Sequence, residues 1–186
     1  HTCCGKRICD GCEYAMNESG AKGLCPFCRT PPPNSDEEEL QWVNKLMEKG
    51  NTGAHYFLAG DYAQGINGLQ QDMAKANEFL LKAGELGCAG AYLNLGNSYY
   101  HGGRGMEIDK KKAKHYYELA AMNGDVTARY NLGCLEGNAG NHRRAIKHLL
   151  LSARAGHKLS LDRVKKGYMG GHVTKEEYAN TLREYQ

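Results

Sequence analysis

Small and large apolar residues alternate along most of the chain in a pattern that repeats at a fixed step. An alanine with a leucine four positions later recurs every 37 residues, as Ala54/Leu58, Ala91/Leu95 and Ala128/Leu132. Apolar residues three or four positions apart share one face of an α-helix. Repeats of this length form stacked helix–turn–helix units, because each unit buries its apolar face only against its neighbours. The pattern predicts an all-α chain from about Asp36 onward, built as an α-solenoid.

The polar positions between the helices keep the same register. The loop residues Gly65, Gly68 and Asp72 return 37 residues later as Gly102, Gly105 and Asp109. The third unit is shorter, since Ala145 follows Ala113 by only 32 residues. We expect helices at residues 37–49, 52–64, 72–86, 89–101, 110–123, 126–137, 142–155, 158–169 and 174–185. Burial is expected at equivalent points of successive units, namely Leu58, Leu95, Leu132, Ala76, Ala113, Ala145, Leu80, Tyr117 and Leu149.

The repeats resemble a known family. The residues that carry the match are Ala91, Leu95, Gly96, Tyr99, Gly102, Gly105, Asp109, Lys112, Ala113, Tyr116, Tyr117, Ala120, Ala121 and Gly124. They are similar to Sel1-like repeats, relatives of the tetratricopeptide array, over roughly residues 50 to 160. The resemblance implies an adaptor whose concave face holds protein partners.

The first thirty residues differ from the rest in cysteine content. Six of the eight cysteines lie there: Cys3, Cys4, Cys9, Cys12, Cys25 and Cys28. Two Cys-x₂-Cys pairs at this spacing aim paired thiolates at a metal ion, and so short a segment needs the metal to fold. Disulfides are the alternative, but they need an oxidising compartment. In addition, the pattern predicts that Cys88 and Cys134 are unpaired, buried helix residues. The spacing favours Zn²⁺ and an intracellular, cytoplasmic or nuclear, protein.

The order Cys25-Pro-Phe-Cys28-Arg29-Thr-Pro31 resembles the closing part of a RING finger. That family binds two zinc ions in a cross-brace of four ligand pairs. The resemblance implies that Cys25 and Cys28 are the fourth pair and that Cys9 and Cys12 are the third.

The second pair is then expected from Cys3 and Cys4, with His1 as a substitute ligand, because Lys6 stands where a histidine would be and a protonated ammonium binds no metal. The first pair is absent. Since the chain begins at His1 without an initiator methionine, we expect that pair to lie upstream, in a longer parent protein.

RING domains have no nucleophile of their own. They dock a ubiquitin-charged conjugating enzyme and hold its thioester ready for attack, which is catalysis by positioning. The resemblance implies that Ile8 and Pro26 contribute to the docking groove. Arg29 takes the place of the cation that bridges the conjugating enzyme and ubiquitin. The alternatives are mini-core packing for Ile8 and an ordinary solvated side chain for Arg29.

The expected organisation is a partial RING-like module with a proline-rich join (residues 1–34), a capping helix (35–49), three Sel1-like repeats (50–89, 90–126 and 127–159) and an incomplete terminal repeat (160–186). Pro31-Pro32-Pro33 favours a stiff, extended join. Ser35 or Asp36 is expected to cap the first helix.

Composition limits the possible partners. A net charge of +3 is too small to imply nucleic acid, and no apolar run is long enough to span a membrane. The basic clusters Lys110–Lys112 with Lys114, and His142–Arg144 with Lys147, are typical of solvated helix faces rather than phosphate sites. Common catalytic motifs are missing. Two hypotheses remain: a RING-type ubiquitin ligase whose repeats recruit an unknown substrate, or a non-catalytic, zinc-bearing adaptor for assembly of protein complexes.

Overall fold

The computed structural model describes Cys25 and residues 29–185, and this part of the chain contains helices and no strand. The helices are α1 (Asp36–Glu48), α2 (Thr52–Gln64), α3 (Met73–Glu85), α4 (Ala89–His101), α5 (Lys110–Met122), α6 (Val126–Asn138), α7 (His142–Arg154), α8 (Lys158–Met169) and α9 (Lys175–Glu184). Every predicted helix end lies within one residue of the observed end. The predicted all-α architecture is therefore confirmed for these residues.

Polar side chains begin the helices where the sequence predicts. The Ser35 hydroxyl accepts a hydrogen bond from the Glu38 N–H at 3.2 Å and is the N-cap of α1. Four acidic residues fill the first turn of α1, where negative charge is favoured by the helix dipole. Asp72 and Asp109 cap α3 and α5 in the same way, which confirms that the two loops are in register.

The long loops of the first two repeats have the same backbone path. Gly65 and Gly102 both adopt the left-handed conformation, with φ of 69° and 74°. In each loop the N–H of the capping aspartate donates to a tyrosine carbonyl in the preceding helix, Tyr62 or Tyr99, at 2.8 Å. A side chain at either glycine would be strained at that φ, so the recurring glycine has a structural cause.

The chain divides into two compact units, one ending at Cys88 and the other beginning at Ala89. In the first unit, α1 and α2 enclose Val43, Ala54 and Leu58, with Phe57 and Phe79 packed against them. In the second unit, α4 to α7 form two antiparallel hairpins, and α8 and α9 pack on the second of these.

The core at the end of the second unit is formed by Leu150, Ala153, Val164 and Val173. Leu149 was expected to be buried but is only half-buried, whereas its neighbour Leu150 is buried. Leu149 packs against this cluster as a partly buried residue, whereas Leu150 is one of its buried members. The other eight residues predicted to be buried are buried.

The two cysteines of the repeats differ from expectation. Cys88 and Cys134 are half-buried rather than buried, and neither is in a disulfide. Cys88 is not a helix residue, because its N–H donates to the Ala83 carbonyl and closes the turn after α3. Gly87, with φ of 94°, makes that turn possible. Cys134 lies in α6, as predicted.

Candidate functional site

Two asparagines on the first helices of neighbouring hairpins meet in the second unit. The Asn131 amide of α6 donates to the Asn97 carbonyl oxygen of α4 at 3.3 Å. The same oxygen accepts the Tyr117 hydroxyl of α5 at 2.9 Å. Both asparagines are half-buried. This contact fixes the two amides side by side on one face of α4 and α6.

The row continues onto α8 through the equivalent positions of the next hairpin. Cys134 follows Asn97 by 37 residues and Arg163 follows Asn131 by 32, the two steps of the repeat. Burial raises the pKa of the Tyr130 hydroxyl, the Cys134 thiol raises it further, and the Arg163 guanidinium lowers it. These three side chains therefore lie together. Lys166, one turn beyond Arg163, is exposed.

We call this set, formed by Asn97, Asn131, Cys134, Arg163 and Lys166, the polar row. Its asparagines were not singled out in the sequence, because the equivalent positions of the first repeat, Gly60 and Phe57, are not polar. The sequence signal that could have identified the row is the pair of repeat steps, 37 and 32 residues. These steps place all five residues on one side of the first helices.

Close approach of the helices positions the row. A Cβ atom added at Gly96 of α4 would lie 2.5 Å from Cδ1 of Tyr117. Gly133 is the equivalent residue of α6 and faces Leu149. A Cβ atom added at Gly133 would lie 2.8 Å from Cγ of Leu149. Each glycine lets a large side chain of the second helix lie directly on the backbone of the first.

The third repeat also contains a buried charge. The Glu136 carboxylate is 4 % exposed and accepts from the Lys114 ammonium at 2.6 Å and from the Asn141 amide at 2.8 Å. The hydrogen bond from Lys114 is the main reason that the pKa of Glu136 is lowered. Lys114 was predicted to be part of a solvated cluster and is instead half-buried in this ion pair. Lys110, Lys111 and Lys112 are exposed, as predicted.

His148 lies beside this ion pair on α7. Its Nδ1 atom is buried and has no hydrogen-bond partner among the described residues. Burial lowers the pKa of His148, although the nearby Glu136 carboxylate raises it. Burial of the imidazole therefore favours its neutral form.

The closing turn of the predicted zinc module is described only at its ends. Cys25 is 4 % exposed; its N–H donates to the Thr30 carbonyl at 2.8 Å, and its carbonyl accepts from the Arg29 N–H at 2.9 Å. Arg29 has φ of 59° and an exposed side chain. A buried cysteine at the first position of a Cys-x₂-Cys pair is compatible with a thiolate aimed at a metal ion.

The remaining predicted site residues lie outside the described part of the chain. These are His1, Cys3, Cys4, Ile8, Cys9, Cys12, Pro26 and Cys28. Within the described residues, no group of three or more His, Cys, Asp and Glu side chains could hold a metal ion. The zinc site and the docking groove therefore stay predictions.

The entry into α1 is fixed by side chains. Both the backbone N–H and the side-chain amide of Asn34 donate to the Glu38 carboxylate, at 2.8 and 3.1 Å. Because Ser35 caps the same helix, the chain leaves Pro33 in a defined direction.

Comparison with known proteins identifies the fold. The Sel1 repeat family matches three consecutive segments, residues 52–88, 89–125 and 126–157, which together make up more than half of the chain. The chain therefore belongs to the Sel1 repeat family. No RING zinc-finger family matches it, and comparison with characterised protein sequences gives no match.

Two solved structures share the fold. A Sel1 repeat protein from Oxalobacter formigenes is 24% identical, with a TM-score of 0.65 over 80% of this chain and 62% of that one. The protein c5321, a protective antigen of uropathogenic Escherichia coli strains with an SLR fold, is 24% identical, with a TM-score of 0.70 over 96% of this chain and 40% of that one. This chain thus spans less than two thirds of either protein. None of the described helices has the length and apolar character needed to cross a membrane.

Proposed function

We propose that this chain is a scaffold that binds another protein along the first helices of its Sel1 repeats. The observation that carries the proposal is the Asn97–Asn131 contact, which holds the amides of two half-buried asparagines side by side across α4 and α6. An amide side chain both donates and accepts hydrogen bonds, as a peptide backbone does. The protein-binding role typical of Sel1 repeats supports the same assignment.

Selection of displayed 12-residue peptides on the purified chain tests this proposal. An enriched peptide, added to isotopically labelled protein, should shift the backbone amide resonances of α4, α6 and α8 around Asn97, Asn131 and Arg163. The exposed second-helix residues Arg143 and Lys147 serve as the internal control and should not shift. If no peptide is enriched, or if the shifts fall on α5 and α7 instead, the binding face is wrongly assigned.

We further propose that the residues before α1 form a RING-like zinc module that makes the protein a ubiquitin ligase scaffold. Cys25 and Cys28 would hold one zinc ion with Cys3 or Cys4, while Cys9 and Cys12 await a further pair of ligands. The buried position of Cys25 and its backbone hydrogen bonds with Arg29 and Thr30 support this proposal. The zinc ion would supply the folding free energy of the module.

In this proposal the chain itself performs no covalent step. Arg29, exposed directly after the last cysteine, would contact the conjugating enzyme and ubiquitin, with Ile8 and Pro26 in the apolar groove. A substrate held on the repeats would then supply the attacking lysine. Rate enhancement would come from positioning alone.

Metal analysis tests the zinc module. The purified chain should contain about one tightly bound zinc ion, and Cys25→Ser should abolish it. Cys134→Ser is the matched control, because that thiol lies in α6, and it should retain the zinc. Equal zinc content in the two variants would exclude Cys25 as a ligand.

A ubiquitination assay separates the ligase from the alternative. It uses a form of the protein in which a Cys-x₂-Cys pair precedes residue 1, because the docking groove requires one. Arg29→Ala should reduce autoubiquitination, whereas Arg143→Ala on the exposed start of α7 should not. Bound zinc without ubiquitin transfer would instead support a non-catalytic, zinc-bearing adaptor.

A further inference from the structure

The polar row changes character along its length, and this change indicates what kind of segment it binds. At α4 and α6 it consists of the neutral amides of Asn97 and Asn131. At α8 it consists of the exposed cations Arg163 and Lys166. Neither cation has an acidic side chain within 4 Å among the described residues, although other lysines and arginines of the repeats do, such as Lys114 and Arg154.

Apolar side chains are exposed on the same helix. Leu159 is 56% exposed and Met169 is 78% exposed. They lie one turn before Arg163 and one turn after Lys166. Exposed apolar groups beside cations favour a peptide over a nucleic acid, because a phosphate backbone gains nothing from contact with leucine or methionine.

We propose that the polar row binds an extended acidic segment of a protein, with Asn97 and Asn131 contacting its backbone and Arg163 and Lys166 pairing with its carboxylates. The proposal rests on the protein-binding function proposed above and specifies the partner. An Asn amide offers both a donor and an acceptor to a peptide group. A guanidinium can bind a carboxylate through two parallel hydrogen bonds, which adds direction to the charge attraction.

The neighbours of Arg163 support its availability to a ligand. Its neighbour Tyr130 is neutral at physiological pH, because burial raises the pKa of the phenol. Tyr130 is itself positioned by its contact with the His157 ring, with 4.9 Å between centroids. Asp162 is the acidic residue adjacent in sequence, and it is exposed. The cation is therefore oriented by its surroundings without being neutralised by a carboxylate.

The peptide selection also tests this inference, through the composition of the enriched peptides. They should carry more Asp and Glu than the starting library. A fluorescein-labelled 12-residue peptide from the selection should lose about tenfold in affinity when its acidic residues are changed to Gln or Asn. The affinity of the acidic peptide should also fall with added salt, whereas that of its neutral version should change little.

Matched variants of the chain locate the cations. Arg163→Gln with Lys166→Gln should weaken the acidic peptide about five- to tenfold and leave the neutral version unchanged. Arg143→Gln with Lys147→Gln removes the same two residue types from the exposed face of α7 and should change neither affinity. Asn131→Ala should weaken both peptides equally, since it removes a contact to the backbone. Thermal melting of each variant confirms that it is folded.

The outcomes are distinguishable from those of the protein-binding proposal. Enriched peptides that shift α4, α6 and α8 but are not acidic would overturn the acidic partner and leave the scaffold function intact. Equal losses in the α7 and α8 double variants would show a general effect of charge and overturn the inference. Competition by heparin as strong as that by the acidic peptide would replace the peptide with a general polyanion. Absence of any peptide binding would overturn both proposals.

Discussion

In the second repeat, two stacked tyrosines join the loop ends of its helices, whereas the same positions of the third repeat hold a carboxylate and an imidazole. The rings of Tyr99 and Tyr116 are nearly parallel, with centroids 5.6 Å apart. The first repeat has the same arrangement in Tyr62 and Phe79, at 5.5 Å. Glu136 follows Tyr99 by 37 residues and His148 follows Tyr116 by 32, so these two residues occupy the equivalent positions of the third repeat.

The difference extends to the cations around each pair. The Lys112 ammonium lies 5.1 Å from the centroid of the Tyr99 ring, and Lys75 lies 5.2 Å from that of Tyr62. In the third repeat, Lys114 reaches from the preceding hairpin to Glu136. An aromatic pair contributes about 0.5–1.5 kcal/mol beyond its burial, while a buried ion pair is weak evidence for stability. We infer that the third repeat has an ion pair with the second repeat in place of the aromatic pair that the first two repeats contain.

Enlarging an alanine of the second helix should show the largest contrast. Ala113→Leu should cost about 3 kcal/mol in the free energy of unfolding, because the site is fully buried. Ala145→Leu, the equivalent change in the third repeat, should cost about 1 kcal/mol. Gly137 lies opposite Ala145 and presents no side chain, while Tyr100 occupies its equivalent position.

Urea unfolding of both variants measures this contrast, with Lys111→Leu as a control on the exposed face of α5. Equal losses for Ala113 and Ala145 would mean that the two hairpins are packed equally tightly.

The glycines of the first helices should give the next largest effect. Gly96→Ala should cost about 2 kcal/mol, because the new Cβ meets a Tyr117 ring that is held by its hydrogen bond to Asn97. Gly133→Ala should cost less than about 1 kcal/mol, since Leu149 is half-buried and can change rotamer. Thermal melting compares the two variants.

A double-mutant cycle tests the cause. Adding Tyr117→Leu to Gly96→Ala reproduces the leucine of the third repeat and should recover part of the loss. Simple additivity of the two changes would show that the ring is not the source of the clash.

Most of the fold was predictable because it depends on repeated positions. Ser35, Asp72 and Asp109 begin helices through local hydrogen bonds, so the sequence nearby contains the whole cause. The burial of Ala76 and Ala113 follows equally from the repeat. Leu149 differed because the repeat pattern does not determine which of two neighbouring leucines of α7 is the more deeply buried in its contact with α8 and α9.

The site was less predictable because it depends on positions that vary between repeats. Asn97 and Asn131 do not occupy equivalent positions, and their contact depends on how α4 and α6 cross. Glu136 and His148 were hidden because the step changes from 37 to 32 residues between them. Comparing the two repeat steps would have identified Glu136 and His148 as equivalent to the aromatic pair. It would not have predicted the hydrogen bond from Lys114 to Glu136.

The pH dependence of stability should reveal the imidazole of the third repeat. Burial lowers the pKa of His148 below its ordinary value of 6.5, so the unfolded chain binds the proton more readily than the folded one. The stabilisation is complete above pH 6.5 and is lost as the pH falls below that value. Glu136, Glu118, Lys114 and Arg129 are the charged groups that face it.

His148→Phe should therefore reduce the loss of melting temperature between about pH 7.5 and about pH 5.5. His115→Phe, on the exposed face of α5, should leave that loss unchanged. Part of the dependence should remain in either variant, since burial also lowers the pKa of His157. An unchanged pH dependence in His148→Phe would show that the imidazole titrates alike in the folded and unfolded chains.

Conversion of the third repeat to the second should have the smallest effect on stability at neutral pH. Glu136→Tyr with His148→Tyr restores the two rings and removes the buried carboxylate. Replacing a buried ion pair by apolar groups of suitable shape is often neutral or stabilising. Lys114 is 38% exposed and can turn toward water and Glu118, so the free energy of unfolding should change by less than about 1 kcal/mol. Glu136→Ala alone leaves a cavity and should cost more, about 2 kcal/mol. If the double variant loses as much free energy of unfolding as Glu136→Ala, the ion pair of Glu136 and Lys114 is required by the shortened loop of the third repeat. The aromatic pair of the second repeat could then not replace it.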